Sequence, residues 1–494
     1  MSLTHRSDAG ERLLVYTASG PVRGIAAGGI HRFLGIPYAA APVGMHRFGP
    51  PARAPEWVTE FDASTPGPTA PQVPYPGALG RLLPSVRVPG DGYLNLNICV
   101  PAEPGKYLRP VLVFFHGGGL TRGSNAIEGY DGGAFARDGL IFVAPNYRLG
   151  AEGFGVLDGA PLNRGLADQL AALDWVARNI RAFGGDPARV TVVGHSAGGN
   201  TVAALLAHQR AASLIQRAII QSAPLNALPS NQSARATHAI AHDLGIDTTR
   251  PAFSEVPAAD ILAAQTRVAP GGGPLSRAPG FSLSIGLPLI PRSPDEALEH
   301  VAGGGIDLLI GTTSEEARLW LVPTGLADRV DRLALALARH RLHIPAETLR
   351  LFRSNRPGAS NGEVLGAVFT EQLLRIPAHR LADARLANGG STYVYEFGWP
   401  SPVQRLGAAH AVELGFVFDH LGGADAVALV GPDAPQALAD AMHGAWVSFA
   451  TTGNPGWRPW DAMRPVKTFD GAGNSVIQSP RESERLALLR GDHG

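Results

Sequence analysis

The chain has one cysteine, Cys99, in 494 residues. No intramolecular disulfide can form, which argues against a disulfide-stapled secreted scaffold and points to a reducing compartment. Lysine is nearly as scarce: only Lys106 and Lys467 occur, so arginine carries almost all of the positive charge. Basic and acidic residues balance at 42 each, and we expect no Lys/Arg cluster within that zero net charge. Nucleic acid and anionic membranes are therefore not expected as partners. No stretch reaches about 18 uninterrupted apolar residues, and the start, MSLTHRSDAGERLLVYTASG, lacks the basic, apolar and cleavage regions of a secretory signal. These absences predict a soluble cytoplasmic protein. No repeat of about 20 to 50 residues is present either, which argues against a solenoid or propeller.

What is present is a 45% hydrophobic, 17% charged chain long enough to bury a large core without metal or disulfide support. Length alone would allow about three domains. No long linker divides them, and the Pro-rich stretch Thr65 to Pro89 reads as a surface loop within one unit spanning residues 1–494. Short apolar runs predict strands at Pro110–Phe115, Leu140–Asn146, Val190–Gly194, Ala218–Ser222, Ile306–Thr312 and Thr392–Phe397. Nearly continuous apolar runs belong to strands covered on both faces, and helical patterns at Leu166–Phe183 and Asn200–His208 supply crossovers. The fold class is α/β with a mostly parallel sheet. Between about 225–297 and 321–389 the pattern turns irregular or purely helical, as expected of cap-like insertions.

Gly194-His195-Ser196-Ala197-Gly198 fits G-x-S-x-G, in which a sharp strand-to-helix turn presents a serine. The string alone is weak, because so glycine-rich a chain yields roughly 0.4 chance matches, and Gly358-Ala359-Ser360-Asn361-Gly362 is a decoy. Context separates them: Ser196 follows the run Val190–Val193 and precedes an Ala/Leu-rich helix, whereas Ser360 follows Arg353-Ser354-Asn355-Arg356-Pro357 and precedes no immediate helix. His116-Gly117-Gly118-Gly119 directly follows another predicted strand, where glycines can turn backbone N–H groups toward an oxyanion. A phosphate-binding loop would need a Lys-Ser/Thr ending that is missing.

With these motifs the chain resembles the type B carboxylesterases, the group containing para-nitrobenzyl esterases and, more distantly, the cholinesterases. The resemblance runs through Phe33-Leu34-Gly35-Ile36-Pro37-Tyr38-Ala39, Asn146-Tyr147-Arg148-Leu149-Gly150, Asn163 to Gln169, Phe183-Gly184-Gly185-Asp186-Pro187, Gln221-Ser222, Gly311-Thr312-Thr313, Gly407 to Phe418 and Gly453-Asn454-Pro455. It implies an α/β-hydrolase fold and a triad of Ser196, Glu316 and His410, with Glu315 as the alternative acid that spacing cannot exclude. It also implies oxyanion donors at the N–H of Gly118, Gly119 and Ala197, and a Ser222 hydroxyl bonded to the glutamate, unless Ser222 is an ordinary strand-end hydroxyl. His116 and His195 are left as structural neighbours, and the spacing of His410 and Glu413 lacks the H-E-x-x-H of a zinc site.

Three departures from the family pattern are notable. His195 replaces a common glutamate, Asp91-Gly92-Tyr93-Leu94 replaces a cysteine-bearing segment, and Leu120 replaces a frequent aromatic. Leu120, Trp320 and Phe416 are candidate pocket residues, though either aromatic serves equally well as core. The expected activity is serine-dependent hydrolysis of uncharged short-to-medium acyl or aryl esters, with no cofactor or metal. Since neutral imidazole is the base, activity should fall as pH drops through roughly 6 to 7. A carbamate or anilide hydrolase is the alternative; a non-catalytic binding protein would have lost a triad member, and none is lost here.

Overall fold

A computed structural model describes residues 13–103, 105–269, 279–300 and 304–491. Most of the N-terminal stretch scanned for a signal, and a part of the first insertion, lie outside the described residues. Eleven strands form the main sheet: β1 (Ile25–Ala27), β2 (Ile30–Pro37), β3 (Asn95–Pro101), β4 (Arg109–Phe115), β5 (Ile141–Pro145), β6 (Gly185–His195), β7 (Arg217–Gln221), β8 (Asp307–Thr313), β9 (Thr392–Phe397), β10 (Pro465–Phe469) and β11 (Val476–Gln478). Their spatial order is β11-β10-β9-β8-β7-β6-β4-β5-β3-β2-β1. From β10 through to β5 every neighbour is parallel. The flanks, β11 on one side and β3, β2 and β1 on the other, are antiparallel.

All six predicted strands are present, as β4 to β9. β6 starts earlier than its apolar run because Arg109 pairs with Gly185 before a register shift. The antiparallel strands carried no comparable signal. In β3 the apolar run is broken by Asn95 and Asn97, both buried, and Asn97 satisfies itself by accepting from the Gly35 N–H and donating to the Asn125 carbonyl.

Alternation of side chains divides the core in two. Val111, Val113, Phe115, Val192 and Ile220 join one cluster with Leu173 and Trp175 of helix α1 (Arg164–Asn179) and Val202 to Leu206 of helix α2 (Ala197–Ala207). Leu112, Phe114, Val193 and Ile219 join another with Met442, Trp446 and Phe449 of helix α3 (Gln436–Thr452). Two helical layers thus cover both faces, which is why the strands read as continuously apolar.

Three expectations need correction. The stretch Thr65 to Pro89 is not simply a surface loop: Gln72 is buried, and its amide both donates to the Gly123 carbonyl and accepts from the Gly123 N–H. The segment 225–297 is less irregular than its pattern, with helices at Arg235–Leu244, Arg250–Glu255 and Ala258–Val268 enclosing a small core around Ile240, Phe253 and Ile261. Charge is also less evenly spread than the balance suggests, since residues 329–356 hold seven arginines against Asp331 and Glu347. The second insertion is helical as expected.

Candidate active site

Four neighbouring strands, β8, β7, β6 and β4, end side by side, and the segments leaving their C-terminal ends carry most of the candidate residues. Ser196 caps α2 directly after β6, at φ 55° and ψ −122°, a conformation that costs about 1–3 kcal/mol and persists only where its surroundings enforce it. They do so here. A Cβ on Gly194 would lie 2.3 Å from the Gly198 carbonyl oxygen, and one on Gly198 would lie 2.1 Å from that of Phe115, so only glycine fits on either side of the turn. The Ser196 N–H is tied to the Gln221 carbonyl at 2.8 Å, and the side chain keeps partial solvent access.

The glycine loop after β4 packs against this serine: a Cβ on Gly117 would come within 3.1 Å of the Ser196 Cβ. Gly118 and Gly119 have φ of 113° and 62°, which L side chains rarely adopt. Among the described residues the N–H groups of Gly118, Gly119 and Ala197 donate to no other group. His116 anchors the loop, with Nδ1 against the Gly117 carbonyl at 2.8 Å and its ring stacked on Tyr147 at 4.5 Å. Burial lowers its pKa to about 4, so it stays neutral.

His410 lies beyond β9, and its Nδ1 meets Glu316 Oε2 at 2.6 Å. The other oxygen, Oε1, accepts the Thr313 N–H at 2.7 Å, and both residues are buried. Glu315 turns away: its carboxylate is partly exposed, accepts from the Ala408 N–H and faces Arg318 at 3.5 Å. The acid touching the imidazole is therefore Glu316. Trp320 lies on the same imidazole, with ring centroids 4.8 Å apart, and is itself partly exposed.

Other candidates fall elsewhere. Phe416 is fully buried against Phe397 and Trp399, at 5.2 Å from each, and is core rather than pocket wall. Leu120 is buried in the first core cluster. The Ser222 hydroxyl finds no hydrogen-bond partner among the described residues, and the Thr313 N–H, not Ser222, holds Glu316 Oε1. Ser360 does precede a helix directly: its hydroxyl accepts from the Glu363 N–H while Glu363 Oε2 accepts from the Ser360 N–H. This capping box was legible as Ser360 followed by Glu363, and what rules out an elbow is the missing strand.

Arg375 was not legible as a site residue. From the second insertion it reaches the carbonyls of Thr313 and Ser314, both at 3.3 Å, and pairs with Glu371 and with Glu396. It fixes the turn that aims Glu316, and it is nearly fully buried. Arg375→Met should lower unfolding free energy by about 1.5–3 kcal/mol, since it leaves the buried carboxylates of Glu371 and Glu396 with Arg481 as their remaining cation. Urea denaturation at neutral pH checks this, and a loss below about 1 kcal/mol would count against the network.

A nucleophile-type turn between a parallel strand and a helix, with a glycine loop one strand away and an acid–imidazole pair beyond it, defines an α/β-hydrolase. The comparisons with known proteins agree. The model of the carboxylesterase family matches residues 11–469. The para-nitrobenzyl esterase of Bacillus subtilis (strain 168) is 36% identical over 96% of this chain and 98% of its own, and the phenmedipham hydrolase of Pseudarthrobacter oxydans is 34% identical over 98% of both. A solved carboxylesterase of Geobacillus stearothermophilus superposes with a TM-score of 0.85 at 32% identity, covering 96% of this chain and 99% of that one. The chain belongs to the carboxylesterase family and is a carboxylic-ester hydrolase.

Proposed function

We propose that this enzyme hydrolyses small uncharged esters through an acyl-enzyme on Ser196. His410 removes the Ser196 proton as Oγ bonds to the ester carbonyl carbon. The resulting oxyanion is received by the N–H groups of Gly118, Gly119 and Ala197, where each donor typically contributes about 100- to 1,000-fold. The C–O bond then breaks, the alcohol leaves with the proton returned by His410, and water repeats the sequence on the acyl-enzyme. Glu316 holds the imidazole by Nδ1, which leaves Nε2 as the nitrogen that exchanges the proton.

The observation that carries this reading is the 2.6 Å contact between Glu316 and His410. It needs no metal or cofactor. The whole chain acts in this account as one α/β-hydrolase unit, with the two insertions as caps, and the lone buried Cys99 suits a cytoplasmic setting. No helix among the described residues is long and apolar enough to cross a membrane.

Aryl carbamates are the second substrate class, favoured by the phenmedipham hydrolase relative. Turnover of p-nitrophenyl esters of increasing acyl length beside an aryl carbamate tests both. The butyrate ester is expected to exceed the carbamate in kcat/KM by at least about tenfold, a transition-state difference of about 1.4 kcal/mol. The reverse order would make the carbamate reading the better one.

A further inference from the structure

Beneath the acid–imidazole contact sits a second carboxyl group that the ester chemistry does not use. Glu413 is fully buried, and neither of its side-chain oxygens completes a hydrogen bond among the described residues. The ionisable groups acting on it are Glu316, whose charge opposes its own, His195, Tyr395 and Tyr130. No lysine or arginine among the described residues pairs with it. An ionised carboxylate cannot persist in such a place without a partner.

A complement is His195, the residue before the nucleophile. His195 Nε2 lies 3.5 Å from Glu413 Oε1, and each of these atoms is otherwise unsatisfied. The Gln221 amide also faces Glu413 and favours its charged form, but its Oε1 already accepts from Trp446 Nε1, and its Nε2, the one group left to donate, completes no hydrogen bond. The His195 ring in turn lies against His410, with centroids 4.6 Å apart, so that His410 contacts both this ring and Trp320.

We propose that Glu413 and His195 form a buried, uncharged acid–imidazole pair, the protonated carboxyl donating to Nε2, which positions His410 for the ester hydrolysis proposed above. Both partners must be neutral. A cationic His195 would oppose the imidazolium that forms on His410, and a second carboxylate would repel Glu316. Burial first, then the charge of Glu316, pushes the Glu413 carboxyl up to about 8, and burial, then His410, holds the His195 imidazole well below its usual range. The inference rests on the proposed ester chemistry for its consequence, but the protonation of Glu413 can be read without turnover.

Infrared difference spectra decide the protonation. Wild type minus Glu413→Gln at pH 6.5 should show the carbonyl stretch of a protonated carboxylic acid, and raising wild type alone through pH about 8 should convert it to carboxylate bands. Carboxylate bands already present at pH 6.5 would overturn the proposal. The wild-type titration stands even if the variant fails to fold.

Turnover then decides the positioning. With p-nitrophenyl butyrate, Glu413→Gln should leave the acid limb of the kcat/KM profile where it is, because no charge is lost. His195→Phe removes the acceptor and should cost about 100-fold in kcat, the scale of a misplaced catalytic group, while His195→Gln, which keeps an acceptor near Nε2, restores most of it. A shift of the Glu413→Gln acid limb by about one unit or more, or equal rates for the two His195 variants, would overturn the pair. A wild type without any ester turnover would instead refute the ester chemistry and leave the infrared result standing.

Discussion

Ser196→Ala is expected to reduce ester turnover by about 10⁴- to 10⁶-fold while leaving the protein folded. The fold should survive because alanine keeps the Cβ that the φ 55° turn already accommodates, and the Ser196 side chain makes no capping hydrogen bond to its helix that would be lost. The backbone bond from the Ser196 N–H to the Gln221 carbonyl is untouched by the change. Activity and circular dichroism measured on the same preparation separate the two effects. A folded variant retaining more than about a hundredth of the wild-type rate would mean that another group attacks the ester.

The second large effect separates two adjacent glutamates. Glu316→Gln replaces the oxygen facing His410 Nδ1 at 2.6 Å with an amide that can present an N–H there, favouring the wrong imidazole tautomer. A loss of about 10³- to 10⁴-fold in kcat is expected. Glu315→Gln, one residue earlier, removes a partly exposed charge whose partners are Arg318 and the Ala408 N–H, and should change kcat by less than about threefold. Equal losses in the two variants would show that the turn, rather than the carboxylate on the imidazole, is what matters.

How far the site was legible follows from where each piece lies in the chain. The elbow and the glycine loop are local, so a strand pattern followed by Gly-x-Ser-x-Gly, or by His-Gly-Gly-Gly, places them from sequence. Glu316 and His410 are 94 positions apart, and only family resemblance joined them. Even that left Glu315 open, because a one-residue difference changes which way a side chain leaves a turn and not its spacing.

Contacts made by buried polar groups from distant segments left no pattern at all. Arg375 reaches the Thr313 carbonyl from 62 positions away, and Asn95 and Asn97 interrupt the very run that would have marked β3. Phe416 shows the converse limit. An aromatic two positions after Leu414 in a functional segment looks like a pocket wall, yet its ring packs on Phe397 and Trp399. The basic stretch 329–356 was hidden by arithmetic, since a balanced total says nothing about local excess.

The central claim is that Ser196 forms a covalent acyl intermediate, and labelling tests it most directly. Wild type treated with an aryl phosphonate that reacts as an ester mimic, then digested and mapped by mass spectrometry, should carry one adduct, on the peptide containing Ser196, with loss of activity in proportion to labelling. An adduct on another residue, on the Ser360 peptide for example, or full inactivation with Ser196 unmodified, would contradict it.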